Sequence, residues 1–353
     1  MHTITSPTGT TMQPHLSRGR KGVGFWIGRV LLGLVITLVV LAASGAIYQA
    51  VATAIDQRSY PPPGQLVDVG GYKLHINCIG PTNTGNPTVI LEGGLGATSS
   101  AWAWVQPEVA ETTRVCAYDR AGTGWSDPSA EAPDAQHIAK ALHTLLHNAN
   151  VASPYVLVGW SVGGLYVRAY ADQYRAEVAG VVLLDSASPD QCTSTPAAQA
   201  RCNTTTRISA IMPVLARIGA MRVMSHFQPA SGLPEPQSAE ALAASSATKD
   251  WDTLTAEFLA SPATYAQVRA SVFPAGVPLF VLTATDHDTP PDLEQLWQGW
   301  QNEMATLSTN RVHQIVVGAH HTSLVLAAKD AKASVAAILQ VVAAVRTGQS
   351  LAP

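Results

Sequence analysis

Hydrophobic positions fall into two regimes along the chain. From residue 30 to residue 51 the sequence VLLGLVITLVVLAASGAIYQAV carries no charged side chain, and at ~1.5 Å per residue it is long enough to cross a hydrocarbon core of about 30 Å. It predicts a spanning helix. Beyond residue 64 the pattern changes to short apolar runs bounded by turn residues, which predict strands over 66–69, 72–79, 88–91, 114–118, 155–159, 178–184, 277–283 and 312–317. Gly70-Gly71 between the first two is a hairpin signal. Between most later runs the period lengthens to that of helices, over 135–148, 162–174 and 293–307. This alternation predicts an α/β domain with a mostly parallel, eight-stranded sheet flanked by helices on both faces.

The alternation stops between 186 and 276. That stretch is rich in Ala, Thr, Ser and Pro, with helical pieces at 208–227 and 251–272, the pattern of an inserted helical lid. Its apolar residues Met212, Leu215, Met221, Met224 and Phe227 either pack the lid on the sheet or face an acyl or aromatic substrate; helical spacing favours packing. The expected organisation is a polar cytoplasmic tail over 1–24, a transmembrane anchor over 25–55 and a linker over 56–63. A sheet domain of 64–185 and 277–353 follows, with the cap over 186–276.

Arg18, Arg20 and Lys21 precede the apolar run. Positive charge on that flank predicts that the N-terminus stays in the cytoplasm and that everything after Asp56 lies outside. The rival reading is a cleaved signal peptide, because Ser44-Gly45-Ala46 resembles a small-residue cleavage site. Both readings export the domain, as a single-pass membrane protein or as a secreted one. Disulfides persist there, and Cys78, Cys116, Cys192 and Cys202 all lie in the exported part; their pairing is open, with a local Cys192–Cys202 bridge favoured by its short loop.

Composition narrows the partners. A chain of 353 residues with 47% apolar side chains can bury a sizeable core. Its net charge of -3 and the absence of a basic stripe in the body of the chain exclude the electrostatic footprint of a nucleic-acid binder. A small or neutral molecule is the expected substrate, with the membrane as partner through the N-terminal helix. No motif calls for a metal, nucleotide or flavin cofactor.

The strand over 155–159 runs into Gly159-Trp160-Ser161-Val162-Gly163, and a helical pattern follows. Strand, Gly-x-Ser-x-Gly and helix together form a nucleophile elbow. A serine hydroxyl is a weak nucleophile and needs an exposed place on a tight turn; small residues at 159 and 163 leave room for that turn. The following helix starts at Ser161, so its N-terminal amides favour an oxyanion.

With the elbow, the region from about 64 to 345 resembles the α/β-hydrolase family. Leu91-Glu92-Gly93-Gly94-Leu95-Gly96 is similar to the family's strand-end loop, though without its usual histidine, and the likeness implies that the N–H groups of Leu95 and Val162 hold the oxyanion. Tyr118-Asp119-Arg120-Ala121-Gly122-Thr123-Gly124-Trp125-Ser126 is a second family-like string, in which Asp119 and Arg120 are expected to be architectural. Val316-Val317-Gly318-Ala319-His320-His321 resembles the family's Gly-x-x-His, which makes His321 the base and His320 its alternative. For the acid, the family's order of Ser, Asp, His points to Asp286 after the strand over 277–283. Asp288, two residues on, and Asp185, at the end of the run over 178–184, remain alternatives.

A Ser, His and Asp set implies acyl transfer to water through an acyl-enzyme, most simply on carboxylic esters. Similar folds that open epoxides or displace halides carry Asp at the position of Ser161. An aminopeptidase resembling proline iminopeptidases is the enzyme alternative. It would need a carboxylate for the substrate amine, for which Glu235, Glu240 and Glu257 are candidates. A membrane-tethered binding protein on a hydrolase scaffold is the alternative of another class.

Overall fold

A computed structural model describes residues 9, 22–82, 85–225, 227 and 232–352. Arg18, Arg20 and Lys21, on which the orientation of the apolar segment rests, lie outside the described residues, as does almost all of the expected tail. The chain divides into two compact units, Met1–Ser44 and Gly45–Pro353. Helix α1 (Val23–Ser59) contributes turns to both. In the first unit its side chains from Leu31 to Leu41 are apolar except Thr37, whose hydroxyl donates to the Gly33 carbonyl, and they are exposed; a helix that is hydrophobic all round needs an apolar surrounding. Among the described residues α1 alone is long and apolar enough to cross a membrane.

The second unit begins inside that helix. Gln49 is buried and donates from Nε2 to the Ser246 carbonyl at 2.7 Å, and Asp56 pairs with Arg222 at 2.7 Å. Residues 56–59, expected to start a linker, are the last turn of α1. Residues 61–63, all proline, lie outside any helix or strand.

The sheet has the order β1-β2-β4-β3-β5-β6-β7-β8. β1 (Gln65–Asp68) and β2 (Lys73–Ile79) form the expected hairpin, and β2 runs antiparallel to β4 (Val115–Tyr118). The remaining pairs are parallel: β4 with β3 (Thr88–Glu92), β3 with β5 (Tyr155–Trp160), β5 with β6 (Val178–Leu184), β6 with β7 (Leu279–Asp286), and β7 with β8 (Arg311–His320). The inner strands β3 to β6 are buried almost throughout, which suits their β-branched and leucine-rich sequences. Helix α2 (Gln106–Ala110) covers one face, while α3 (Ala135–Asn148) and α4 (Gly163–Gln173) cover the other. Asp134 caps α3 by accepting the N–H groups of Gln136 and His137.

Among the described residues five helices join β6 to β7: α5 (Pro196–Ser209), α6 (Met212–Arg217), α7 (Ala220–Ser225), α8 (Gln237–Ser246) and α9 (Thr248–Ala270). The helical piece expected over 208–227 is thus broken into three. Met221 is buried, Met224 and Phe227 are exposed, and none of the five lid apolars lines the cavity described below. After β7 come α10 (Pro291–Met304), then β8, α11 (Ser323–Leu326) and α12 (Ala328–Thr347), which packs on the same face as α2. Disulfides join Cys192 to Cys202 and Cys78 to Cys116; the second spans paired positions of β2 and β4.

Candidate active site

Parallel strands all end at one edge of a sheet, where loops from distant parts of the chain meet. Ser161 follows β5 there with φ of +57°. Its N–H donates to the Leu184 carbonyl at 3.1 Å, tying the turn to the end of β6. The neighbouring glycines are sterically required: a Cβ at Gly159 would stand 2.6 Å from Gly164 Cα, and one at Gly163 would stand 2.5 Å from the Glu92 carbonyl. The turn therefore lies directly against the loop after β3. A Cβ at Gly94 would stand 3.2 Å from Ser161 Cβ.

That loop is held from behind by Arg120. Its Nη1 donates to the Glu92 carboxylate (2.7 Å) and the Gly93 carbonyl (2.9 Å), its Nη2 to the Gly94 carbonyl (2.8 Å), and its Nε to Glu257 of α9 (2.7 Å). Burial opposes the charge of Arg120, but Glu257 and Glu92 overcome that and hold it firmly protonated. In a trans peptide the C=O and N–H point in opposite directions. With the Gly94 carbonyl turned to Arg120, the Leu95 N–H points the other way. Neither the Leu95 nor the Val162 N–H has an acceptor among the described residues.

His321 stands just after β8. Ser161 Oγ lies 3.0 Å from its Nε2, and Asp185 Oδ2 lies 2.6 Å from its Nδ1. A carboxylate can only accept, so Nδ1 carries the proton and Nε2 accepts from the serine hydroxyl. Asp185 is fully buried at the end of β6. Burial pushes its carboxyl up, but the hydrogen bonds from His287 and His321 bring it down to about 2. The Ala284 N–H and Trp297 Nε1 donate to its other oxygen at 3.2 and 2.9 Å.

The expectation that Asp286 faces the His321 ring needs correction. β7 runs on to Asp286, which pairs in register with His320; side chains paired across strands share a face, and the next residue turns to the other. Asp286 Oδ2 accordingly lies 3.4 Å from His320 Nε2. Asp286 meets His321 only through its main-chain carbonyl, which accepts the His321 N–H at 3.1 Å. Asp288 is exposed and 4.0 Å from His320 Nδ1. The structure brings together Ser161, His321 and Asp185, and leaves Asp286, Asp288 and His320 as a separate cluster turned away from the serine.

Against known families, the alpha/beta hydrolase fold matches residues 87–324. The chain belongs to that family. An uncharacterized protein of Schizosaccharomyces pombe is 31% identical to this chain over 153 residues, covering 36% of this chain and 29% of that protein. The chain thus spans less than a third of that relative. Among solved structures, an enol-lactonase from Burkholderia xenovorans superposes with a TM-score of 0.59 at 19% identity, over 79% of this chain and 100% of that one. The epoxide hydrolase CorEH gives 0.58 at 18% identity, over 79% and 98%. At such identities the likeness is one of fold.

Beside His321 lies a cavity of about 330 Å³. Phe258, Leu293, Trp297 and Trp300 make its wall apolar, the Cys192–Cys202 bridge and Tyr265 form part of it, and no carboxylate lines it among the described residues. A larger space of about 670 Å³, between residues 46–62 and the α8–α9 corner, includes neither Ser161 nor His321. Sequence reasoning missed His287, which lines the smaller cavity and donates from Nε2 to Asp185 Oδ2 at 2.7 Å while its Nδ1 lies 2.7 Å from Glu294. Both nitrogens of His287 and of His321 are engaged in such bonds.

Proposed function

We propose that this hydrolase is a serine esterase working through an acyl-enzyme, with Ser161 as nucleophile, His321 as base and Asp185 as acid. The observation that carries the reading is the His321 ring, hydrogen-bonded to Ser161 on one side and to the buried carboxylate of Asp185 on the other. Ser161 Oγ attacks the ester carbonyl carbon as its proton passes to His321 Nε2. Asp185 keeps the ring in the required tautomer and stabilises the imidazolium. The N–H groups of Leu95 and Val162 accept the developing oxyanion. The C–O bond then breaks, His321 returns the proton to the departing alcohol, and water repeats the sequence on the acyl-serine.

The cavity beside His321 supports small esters with an apolar acyl or aryl part, being at the lower end of ligand-site volumes of about 300–1,000 Å³. The aminopeptidase reading finds less support. Glu257 is buried against Arg120, Glu240 accepts from Ser100, and Glu235 does not line the cavity. The five helices between β6 and β7 act in this reading as a cap over residues 186–276. The apolar turns of α1 anchor the chain in a membrane as a single pass, with the catalytic domain extracytoplasmic.

A fluorophosphonate probe followed by a panel of aryl esters of graded acyl length tests the proposal. Covalent labelling at Ser161 and hydrolysis of short esters are expected. An unlabelled, correctly folded protein would turn the reading towards a binding protein, and cleavage of aminoacyl anilides without ester hydrolysis would turn it towards a peptidase.

A further inference from the structure

The Asp185 carboxylate serves two histidines through one oxygen. Oδ2 takes His321 Nδ1 at 2.6 Å and His287 Nε2 at 2.7 Å. The other nitrogen of His287 does not face a neutral acceptor: Glu294 Oε2 stands 2.7 Å from Nδ1. A neutral imidazole has one N–H and cannot donate to two carboxylates at once. Donor accounting therefore makes His287 an imidazolium, and its side chain is only 7% exposed. Burial opposes that charge, while Asp185 and then Glu294 outweigh it, so the ring holds its proton more tightly than an ordinary histidine.

We propose that His287, a cation clamped between Glu294 and Asp185, is a positioning residue that sets how strongly Asp185 acts on His321, and thereby the pH at which the Ser161–His321 pair works. The inference rests on the esterase reading above. An opposite charge on one side of Asp185 offsets part of the field it exerts on the other, so the imidazolium that His321 becomes during turnover is held less strongly than by an unshared carboxylate. The acid limb of turnover should accordingly lie at lower pH than with an unshared carboxylate.

The groups facing His287 are few. Asp185 comes from the end of β6, Glu294 from α10 and His321 from the turn after β8, its ring centroid 5.9 Å away. Trp297 packs against the ring at 4.9 Å without charge, and Arg201 of α5 lines the same cavity. The chain neighbours Asp286 and Asp288 turn to His320 instead. Glu294, Trp297 and Gln298 lie on one face of α10 at helical spacing; the first two hold His287 and Asp185, and Gln298 donates to Glu294 and to the Ala284 carbonyl.

The test is the pH profile of kcat/KM on an aryl ester for the full chain and its H287Q, H287K and E294Q variants. Gln keeps an N–H for Asp185 but removes the charge. The acid limb of H287Q should move to higher pH by about one unit, with a plateau loss below tenfold. H287K should bring the limb back towards the parent, and E294Q, which frees His287 to lose its proton, should shift it as Gln does but less. A uniform loss in H287Q and E294Q with the acid limb unmoved, or a limb displaced to lower pH, would overturn the proposal and leave His287 a packing residue. A parent protein that neither labels at Ser161 nor hydrolyses esters would instead sink the esterase reading on which this inference stands.

Discussion

Asp185 and His321 are 136 residues apart in the chain, and Oδ2 of one lies 2.6 Å from Nδ1 of the other. Two strand ends produce the contact. β6 delivers Asp185 with φ of +45° and β8 delivers His321, with β7 between them. Asp185 thus stands at the end of a strand next to the one that carries Ser161.

Replacing Ser161 with Ala should leave folding nearly intact and reduce turnover by about 10⁶, the loss seen when a triad nucleophile is removed. Thermal melting and ester hydrolysis measured side by side check this. Activity retained in the variant would remove Ser161 from the reaction.

Arg120 lies between two buried carboxylates, Glu92 and Glu257, and carries the loop that presents Leu95. Breaking a buried pair by removing one partner costs about 3–5 kcal/mol. Arg120→Met should therefore lower unfolding free energy by that order in urea titration. A loss below 1 kcal/mol would show that Glu92 and Glu257 find other partners.

Asp250, at the start of α9, is buried with one oxygen accepting the Gly124 N–H at 2.9 Å and the other unpartnered. Burial, the largest influence, raises its carboxyl to about 7, although the Gly124 N–H opposes it. The folded state then holds a proton that the unfolded state has released, so stability falls as pH rises from about 4 to about 7. Asp250→Asn should be more heat-stable than the parent at pH 8, by a few kcal/mol at about 1.4 kcal/mol per pH unit, and nearly equal to it at pH 4. Melting curves at the two pH values decide the matter; equal Asn effects at both would refute it.

The elbow was legible in the sequence because its chemistry is local. Strand, two small residues and helix must be contiguous, and the contacts that Gly159 and Gly163 would make with a Cβ explain why. The sheet was legible because its inner strands are continuous apolar runs. Asp286 was preferred as acid because it follows the strand expected over 277–283. β7 instead extends to Asp286 and pairs it with His320, so a period-two alternation turned it away from His321. His287, flanked by two aspartates, resembles a solvated loop residue; only the spacing of Glu294 and Trp297 on α10 hinted at a buried partner. Helix α5 was missed in a stretch poor in large apolar residues, although Thr195-Pro196 is a helix start that the structure uses, with Thr195 Oγ1 accepting the Ala198 N–H.

The most direct test of the Ser161–His321–Asp185 arrangement compares kcat/KM of Asp185→Asn, Asp286→Asn and Asp288→Asn at neutral pH, each checked for parent-like melting. An amide at 185 can hold the imidazole in the wrong tautomer and cannot stabilise imidazolium, so Asp185→Asn should lose roughly 10⁴ in turnover. Asp286→Asn leaves the main-chain carbonyl that accepts the His321 N–H, and Asp288 is exposed, so both should stay within about tenfold of the parent. A severe loss in Asp286→Asn or Asp288→Asn with Asp185→Asn close to the parent would contradict the account.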